Sequence, residues 1–367
     1  MSNTNKHVLL ICAASQSVVN FRSALIKKFQ QNNCKVSIIA FDDFYKDEIL
    51  EMECDFYLIQ ENNRGMNPFK LLVLKRKISK LLKMIKPDVV MNFMLKPNIY
   101  GTLAAKQNKI NKIYCMIEGA GDAFTYKTFK WIIVKKVICF FYKKSLKYAN
   151  KVFFLNPDDE HEFVKLKLIK KEKCYQINGI GVDLDIFKYE KLINYNKFLM
   201  VARLKKAKGV YEYCEIAKKI KKEFPNAEFN LLGAEGDIKI SDIQNYIDDG
   251  IINYLGFTKN VIPYLKDTTC LVLLSHREGL PMSIMEGLSI GRIIITTNAV
   301  GCKETVDDNY NGFKIDLNKI EDGYYVFKWI LNNQSRLDLM SQNARKFAEV
   351  KFDQNKINNE IIKEVLK

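Results

Sequence analysis

Short, continuous apolar runs alternate along the chain with stretches whose apolar residues recur every three or four positions. The runs read as buried strands and the periodic stretches as amphipathic helices. In the first half, strands are predicted at 8–14, 36–41, 89–94, 113–117 and 152–155, with helices near 21–32 and 99–106. The second half repeats the plan, with strands at 198–201, 228–232, 254–255, 271–274 and 293–296 and a helix over 210–223. Such alternation predicts the α/β class, with a parallel sheet flanked by helices on both faces, and here it occurs twice. The 367 residues suffice for two domains of ordinary size. The turn-rich Asn178-Gly179-Ile180-Gly181-Val182-Asp183 precedes the expected junction at 189–197. The expected division is therefore 1–188, 189–350 and a closing amphipathic helix over 351–367 carrying Ile357, Ile361, Ile362 and Val365.

Chemistry concentrates where the apolar run 270–274 leads into Ser275-His276-Arg277-Glu278-Gly279-Leu280-Pro281-Met282-Ser283-Ile284-Met285-Glu286-Gly287. The pattern predicts a strand, a short loop and a helix that Gly291 stops. Pro281 suits the first helical turn, where its missing N–H is no loss. Free N–H groups and the helix dipole at such a start attract an anion. Glu278 and Glu286 flank that spot, and carboxylates repel phosphate, so their natural partners are hydroxyl groups. A diphosphate with a hydroxyl-rich ring at each end, a nucleotide sugar, fits this arrangement. The strand 198–201 likewise runs into a basic loop that contains Arg203 and Lys208. Fixed cations there would stabilise the charge that develops on a departing nucleoside diphosphate.

Composition narrows the setting. A hydrophobic content of 48% is that of a folded globular chain, and no apolar run is long enough to span a membrane. The polar start, Met1 to Lys6, does not read as a signal peptide. Nine cysteines lack metal-ligand spacing and read as reduced, which points to the cytoplasm. The Asp pairs fall in polar turns, so no metal and no other cofactor is expected. The formal charge is +16, yet residues 64–173 alone hold 25 Lys/Arg against 8 Asp/Glu, a net +17. So local an excess favours an anionic partner: nucleic acid, anionic lipid or an anionic substrate.

The segment from Glu278 to Glu286 resembles the Glu, seven residues, Glu signature of retaining glycosyltransferases, above all glycosyltransferase family 4. Arg203 and Lys208 match that family's Arg-Leu, three residues, Lys-Gly pattern. The resemblance implies a GT-B fold, two Rossmann-like domains with parallel sheets facing a central cleft, the last helix crossing back to the first domain. It implies that Glu278 contacts the donor sugar, that Glu286 holds the ribose hydroxyls and that Arg203 and Lys208 grip the diphosphate. Gly279, Leu280, Met282 and Ser283 would complete the donor site, and Leu255-Gly256-Phe257-Thr258 resembles the segment beside the nucleobase.

In the first half, Asn20-Phe21-Arg22, Lys96-Pro97-Asn98 and Glu118-Gly119-Ala120-Gly121 resemble a family 4 subgroup, the α-1,3-N-acetylgalactosaminyltransferases that build glycans on undecaprenyl diphosphate. On that likeness Lys96, Asn98, Asn20, Arg22, Gly119 and Gly121 would bind the acceptor. Many family 4 enzymes have a His where this chain has Glu118, which would position the acceptor or take its proton. Residues 124–148 combine aromatics with lysines, as an interfacial membrane helix does. The same pattern also suits a core helix with a solvated lysine face. The expectation is a retaining hexosyltransferase on the inner face of the cell membrane. It would move a hexose or N-acetylhexosamine from a UDP-sugar to a lipid-linked saccharide of a surface polysaccharide, capsule, lipopolysaccharide or protein glycan. A nucleotide-sugar 2-epimerase of GT-B-like fold is the alternative. A nucleic-acid-binding role would leave the Glu278–Glu286 segment unexplained.

Overall fold

The computed structural model describes residues 5–61, 68–126, 128–317 and 319–367. Its first unit, residues 1–180 with 355–367, contains seven strands: β1 (His7–Cys12), β2 (Lys35–Ala40), β3 (Asp55–Leu58), β4 (Val89–Phe93), β5 (Lys112–Ile117), β6 (Lys151–Phe154) and β7 (Cys174–Gln176). All pair in parallel, in the order β3-β2-β1-β4-β5-β6-β7. The second unit, 181–354, contains β8 (Lys197–Val201), β9 (Glu228–Leu232), β10 (Asn253–Tyr254), β11 (Cys270–Leu273), β12 (Ile293–Thr297) and β13 (Gly312–Ile315). Its parallel order is β10-β9-β8-β11-β12-β13. Each sheet thus starts at an interior strand, builds outward one way and then reverses, with switch points between β1 and β4 and between β8 and β11. Ligands of open parallel sheets bind outside the carboxyl ends of the strands at such points.

The central strands are apolar because helices cover both of their faces; Val8 to Cys12, Val89 to Met91 and Cys270 to Val272 are 0% exposed. Each unit has its own core. In the second, Phe198, Phe229 and Phe327 stack with ring centroids 4.7–5.7 Å apart. The edge strands β3, β7 and β13 escaped prediction because Asp-Phe-Tyr-Leu, Cys-Tyr-Gln and Gly-Phe-Lys-Ile are short and broken by polar residues. The helix expected near 21–32 starts earlier, at Ser15–Gln31. Its polar first turn is held at the end of β1 because Asp42 accepts hydrogen bonds from the Ser15 amide and hydroxyl.

Both domain boundaries differ from expectation, 180/181 rather than 188/189 and 354/355 rather than 350/351. Backbone hydrogen bonds decide this. Val182 donates to Phe352 (2.8 Å) and Glu190 to Ile290 (3.0 Å), while the Arg345 guanidinium reaches the Phe187 carbonyl (2.9 Å). The segment after Ile180 is therefore stitched to the second unit. The helix Gln354–Leu366 buries Ile357, Ile361, Ile362 and Val365. Its end is held in the first unit by Tyr114 Oη on the Glu364 carbonyl (3.3 Å) and Lys6 Nζ on the Leu366 carbonyl (2.6 Å).

Candidate active site

In the second unit the loops that follow β8 and β11 leave neighbouring strands at their carboxyl ends, on either side of the switch point. The His276 amide donates to the Ala207 carbonyl (3.0 Å), tying the two loops together. Lys208 and Glu278 form an ion pair there, with side chains 28% and 14% exposed. The helix Met282–Ile290 begins just beyond, with Pro281 as its extended cap rather than inside its first turn, and Gly291 ends it in the left-handed conformation. No side chain caps that start. Met282 and Ser283 are its first two residues and half-buried, as is Gly279, while Leu280 is buried.

Two members stand apart from the ion pair. Arg203 is exposed, and neither it nor Glu286 has a hydrogen-bond or ion-pair partner among the described residues. Glu286 is half-buried on that helix, and the loss of hydration there pushes its carboxyl up to about 7 because the charged form is disfavoured. A hydroxyl-bearing ligand that donates to this carboxylate would restore what burial removes. Phe257 follows β10 with its ring 65% exposed, on a loop anchored by the Gly233 amide donating to the Gly256 carbonyl (2.7 Å).

Sequence reasoning missed the support for Glu278. Its amide donates to the Val300 carbonyl (2.9 Å) in the loop after β12, and Thr297 Oγ1 donates to the Ser275 carbonyl (2.6 Å). Gly301, at φ +81°, lies so close that any Cβ there would collide with the Glu278 carbonyl.

The first unit treats its candidates differently. Arg22, 1% exposed, forms an ion pair with Glu118 in the loop after β5, and its guanidinium lies 4.4 Å from the centre of the Phe93 ring. Burial lowers the Arg22 guanidinium to about 10, which still leaves it charged at neutral pH. Arg22 thus sits in the interior beside Glu118, whose side chain is 20% exposed. Asn98 is likewise 0% exposed, and its amide nitrogen donates to the Met116 carbonyl (2.7 Å). Its Oδ1, also buried, has no hydrogen-bond partner among the described residues. Lys96, 7% exposed, pairs with Glu61 at 3.6 Å. The segment Pro97–Gly101 forms one wide helical turn of the π type, a geometry that recurs at functional sites. Asn20 is exposed on the first helix, and Gly119 and Gly121 both have positive φ, 120° and 79°.

The lysine-rich stretch is the helix Phe129–Leu146. It buries Ile138, Tyr142 and Leu146, yet Phe129, Ile132, Ile133, Val137 and Phe140 are 39–79% exposed. It therefore has a core face and a second apolar face open to the surroundings. Lys127 lies outside the described residues. No helix among the described residues is long and apolar enough to cross a membrane.

Two family models divide the chain as the fold does: "Glycosyl transferase 4-like" matches residues 7–156 and "Glycosyl transferases group 1" residues 182–347. The chain is 27% identical over 364 residues to the N,N'-diacetylbacillosaminyl-diphospho-undecaprenol alpha-1,3-N-acetylgalactosaminyltransferase of Campylobacter jejuni, covering 95% of this chain and 96% of that one. It is 28% identical over 284 residues, 72% of each chain, to an Escherichia coli UDP-Gal:alpha-D-GlcNAc-diphosphoundecaprenol alpha-1,3-galactosyltransferase. Among solved structures, Anabaena Alr3699/HepE in complex with UDP and glucose superposes with a TM-score of 0.81 at 14% identity, covering 99% of this chain and 100% of that one. A glycosyltransferase from Rickettsia africae gives 0.79 at 19% identity, covering 99% of both. These likenesses do not favour the epimerase alternative. With both family models matched in turn and the fold shared with these structures, the chain belongs to the family 4-like glycosyltransferases of the GT-B fold.

Proposed function

We propose that this chain is a retaining glycosyltransferase that moves a hexose or N-acetylhexosamine from a UDP-sugar to a saccharide linked to undecaprenyl diphosphate. The Lys208–Glu278 pair at the switch point carries the reading, because it sets a cation for phosphate beside an acceptor for sugar hydroxyls. The UDP-sugar diphosphate would draw Lys208 away from Glu278, take Arg203 as its second cation and lie toward the open start of the helix Met282–Ile290. Glu278, freed from Lys208, would hold the donor sugar, Glu286 the ribose hydroxyls and Phe257 the base. In the reaction the bond from the anomeric carbon to the phosphate oxygen breaks. The acceptor oxygen bonds that carbon on the same face, and its proton passes to the leaving phosphate oxygen. Arg203 and Lys208 stabilise the departing charge, the work that a metal ion would otherwise do, and no metal is required in this reading.

On the acceptor side, Glu118 would orient the attacking hydroxyl, since Arg22 occupies one of its carboxylate oxygens. The named relatives act on undecaprenol-linked diphosphates, which supports a lipid-linked acceptor. The open apolar face of the helix Phe129–Leu146, rimmed by lysines, supports seating on the inner face of the cell membrane. Surface-glycan or protein-glycan assembly is the setting.

The test is a screen of UDP-sugars read by UDP release, with and without undecaprenyl-diphosphate saccharides, in EDTA. Release that depends on the lipid-linked acceptor and yields an α-linked product is expected. A β-linked product, or full turnover by Glu286→Ala, would sink the assignment.

A further inference from the structure

A second basic feature lies away from the acceptor loops. Between the last turns of the helix Phe129–Leu146 and the segment that joins the helix Pro157–Lys165 to β7 lies a pocket of about 950 Å³. Phe140, Val164, Leu168 and Ile169 form its apolar lining. Six lysines ring it: Lys143, Lys144 and Lys147 from the helix, and Lys167, Lys170 and Lys173 from the joining segment. None of the six has a carboxylate partner among the described residues, whereas the nearby Lys135 and Lys171 pair with Glu162 and Glu160. Lys173 instead donates to the Lys147 and Ala149 carbonyls (2.7 Å each), and Lys144 sits 4.3 Å from the centre of the Phe140 ring. Burial, and next the charge of Lys170, lower the Lys173 ammonium. The ring is a concentration of like charge that lacks its counter-charge.

Position separates this pocket from the acceptor candidates. Its lysines lie just before β6 and β7, whereas Asn98 and Glu118 follow β4 and β5. The strands run parallel, so the pocket lies by their amino ends and the acceptor loops by their carboxyl ends, about 20 Å apart for six residues of strand. Phe140 belongs both to the pocket and to the exposed apolar face formed by Phe129, Ile132, Ile133 and Val137. The pocket thus continues the surface proposed to meet the bilayer. A free anion would satisfy the lysines and leave the apolar lining wet. A zwitterionic lipid would cover the lining without balancing the charge.

We propose that the pocket binds an anionic phospholipid of the bilayer, with the headgroup phosphate among the six lysines and the start of an acyl chain on Phe140, Leu168 and Ile169. This rests on the membrane-seated reading above and adds a stoichiometric lipid site to it. The site would fix the rotation of the helix Phe129–Leu146 on the membrane, which a diffuse basic patch does not do.

Calorimetric titration with dihexanoyl phosphatidylglycerol, dihexanoyl phosphatidylcholine and glycerol phosphate, each below any micelle concentration, tests this. One site is expected, at least tenfold tighter for the phosphatidylglycerol than for either of the others. The triple variant Lys143→Gln/Lys167→Gln/Lys170→Gln should lose that preference, and Phe140→Ser should weaken the phosphatidylglycerol alone. An unfolding transition of the first unit that matches the wild type by calorimetry, in both variants, would report that they fold. Equal binding of the two lipids overturns the proposal, as does glycerol phosphate binding as tightly as the lipid, or a triple variant that keeps the preference. Transfer measured on the same preparations in detergent keeps the two ideas separable. Normal transfer without lipid preference removes only the lipid site, whereas lipid preference without transfer removes only the enzymatic reading.

Discussion

The two units share one order over six strands and one switch-point position, the first adding β7 at its edge, yet they deploy charge in opposite ways. In the second unit, Arg203 is exposed, and Lys208 and Glu278 are joined in a pair that solvent reaches. In the first, Arg22, Asn98 and Lys96 are all but fully buried, and each has at least one internal partner. A charged co-substrate that must arrive and leave calls for cations it can engage without dismantling the fold. Recognition of a neutral hydroxyl calls for a carboxylate held still, and the buried Arg22 supplies that rigidity to Glu118. The two units thus differ in how far their charged groups are open to solvent.

The largest expected effect lies in the second unit. Lys208→Ala should lower kcat about a thousandfold, in line with loss of one fixed transition-state partner, while thermal unfolding shifts by no more than a degree or two, roughly the weight of a solvent-reached ion pair. Arg203→Ala should behave alike. Comparable loss of stability in either variant would erase the contrast between the units.

Arg22→Met tests the first unit. Removing one partner of a buried pair typically costs 3–5 kcal/mol, and since Glu118 keeps some water contact, about 3 kcal/mol is expected. Calorimetry should show this in the unfolding of the first unit, with UDP affinity unchanged. A variant of normal stability with only a raised KM for the acceptor would make Arg22 a ligand contact, as the sequence alone had suggested.

That difference marks the limit of what was legible. Central strands such as 8–12 and 270–273 are unbroken apolar runs, so the double α/β plan could be read directly. The donor residues were legible because strand, loop and helix start lie within one continuous segment, from Cys270 to Gly287. The depth of Arg22 and Asn98 was not legible. Their partners, Glu118 and Met116, lie 96 and 18 residues away, and polar residue types in a loop give no sign of burial. The contribution of Val300 and Gly301 was hidden for the same reason, since it reaches Glu278 through backbone atoms that no side-chain pattern encodes.

Glu286 sharpens the comparison through pH. Its carboxyl is raised from 4.5 to about 7 by burial, so between those values the folded chain keeps a proton that the unfolded chain has released. Stability from this group is therefore full below about 4.5, falls as pH rises to about 7 and is level above it. Relative to Glu286→Gln, the wild type should lose about 3 kcal/mol between pH 4 and pH 8. UDP affinity should run the other way, rising toward pH 7 and then levelling, because the ribose hydroxyls donate to the ionised form. An affinity independent of pH across that range would separate Glu286 from the ligand.

The smallest effect expected is at Phe257, and it separates exposure that serves a ligand from exposure that serves nothing. Its ring is 65% exposed on an anchored loop, so truncation removes almost no packing and Phe257→Ala should melt with the wild type. Stacking of an aromatic ring on a base is worth about 1–3 kcal/mol, and an exposed ring belongs at the lower end. UDP should then bind the variant roughly tenfold more weakly, through faster dissociation, with kcat at saturating donor little changed. Leu339 in the same unit is exposed to a similar degree, 62%, and has no proposed ligand, so Leu339→Ala serves as the control that should change neither quantity. If Phe257→Ala and Leu339→Ala prove alike, the ring is surface rather than site, and the donor cavity of the second unit ends at the helix Met282–Ile290.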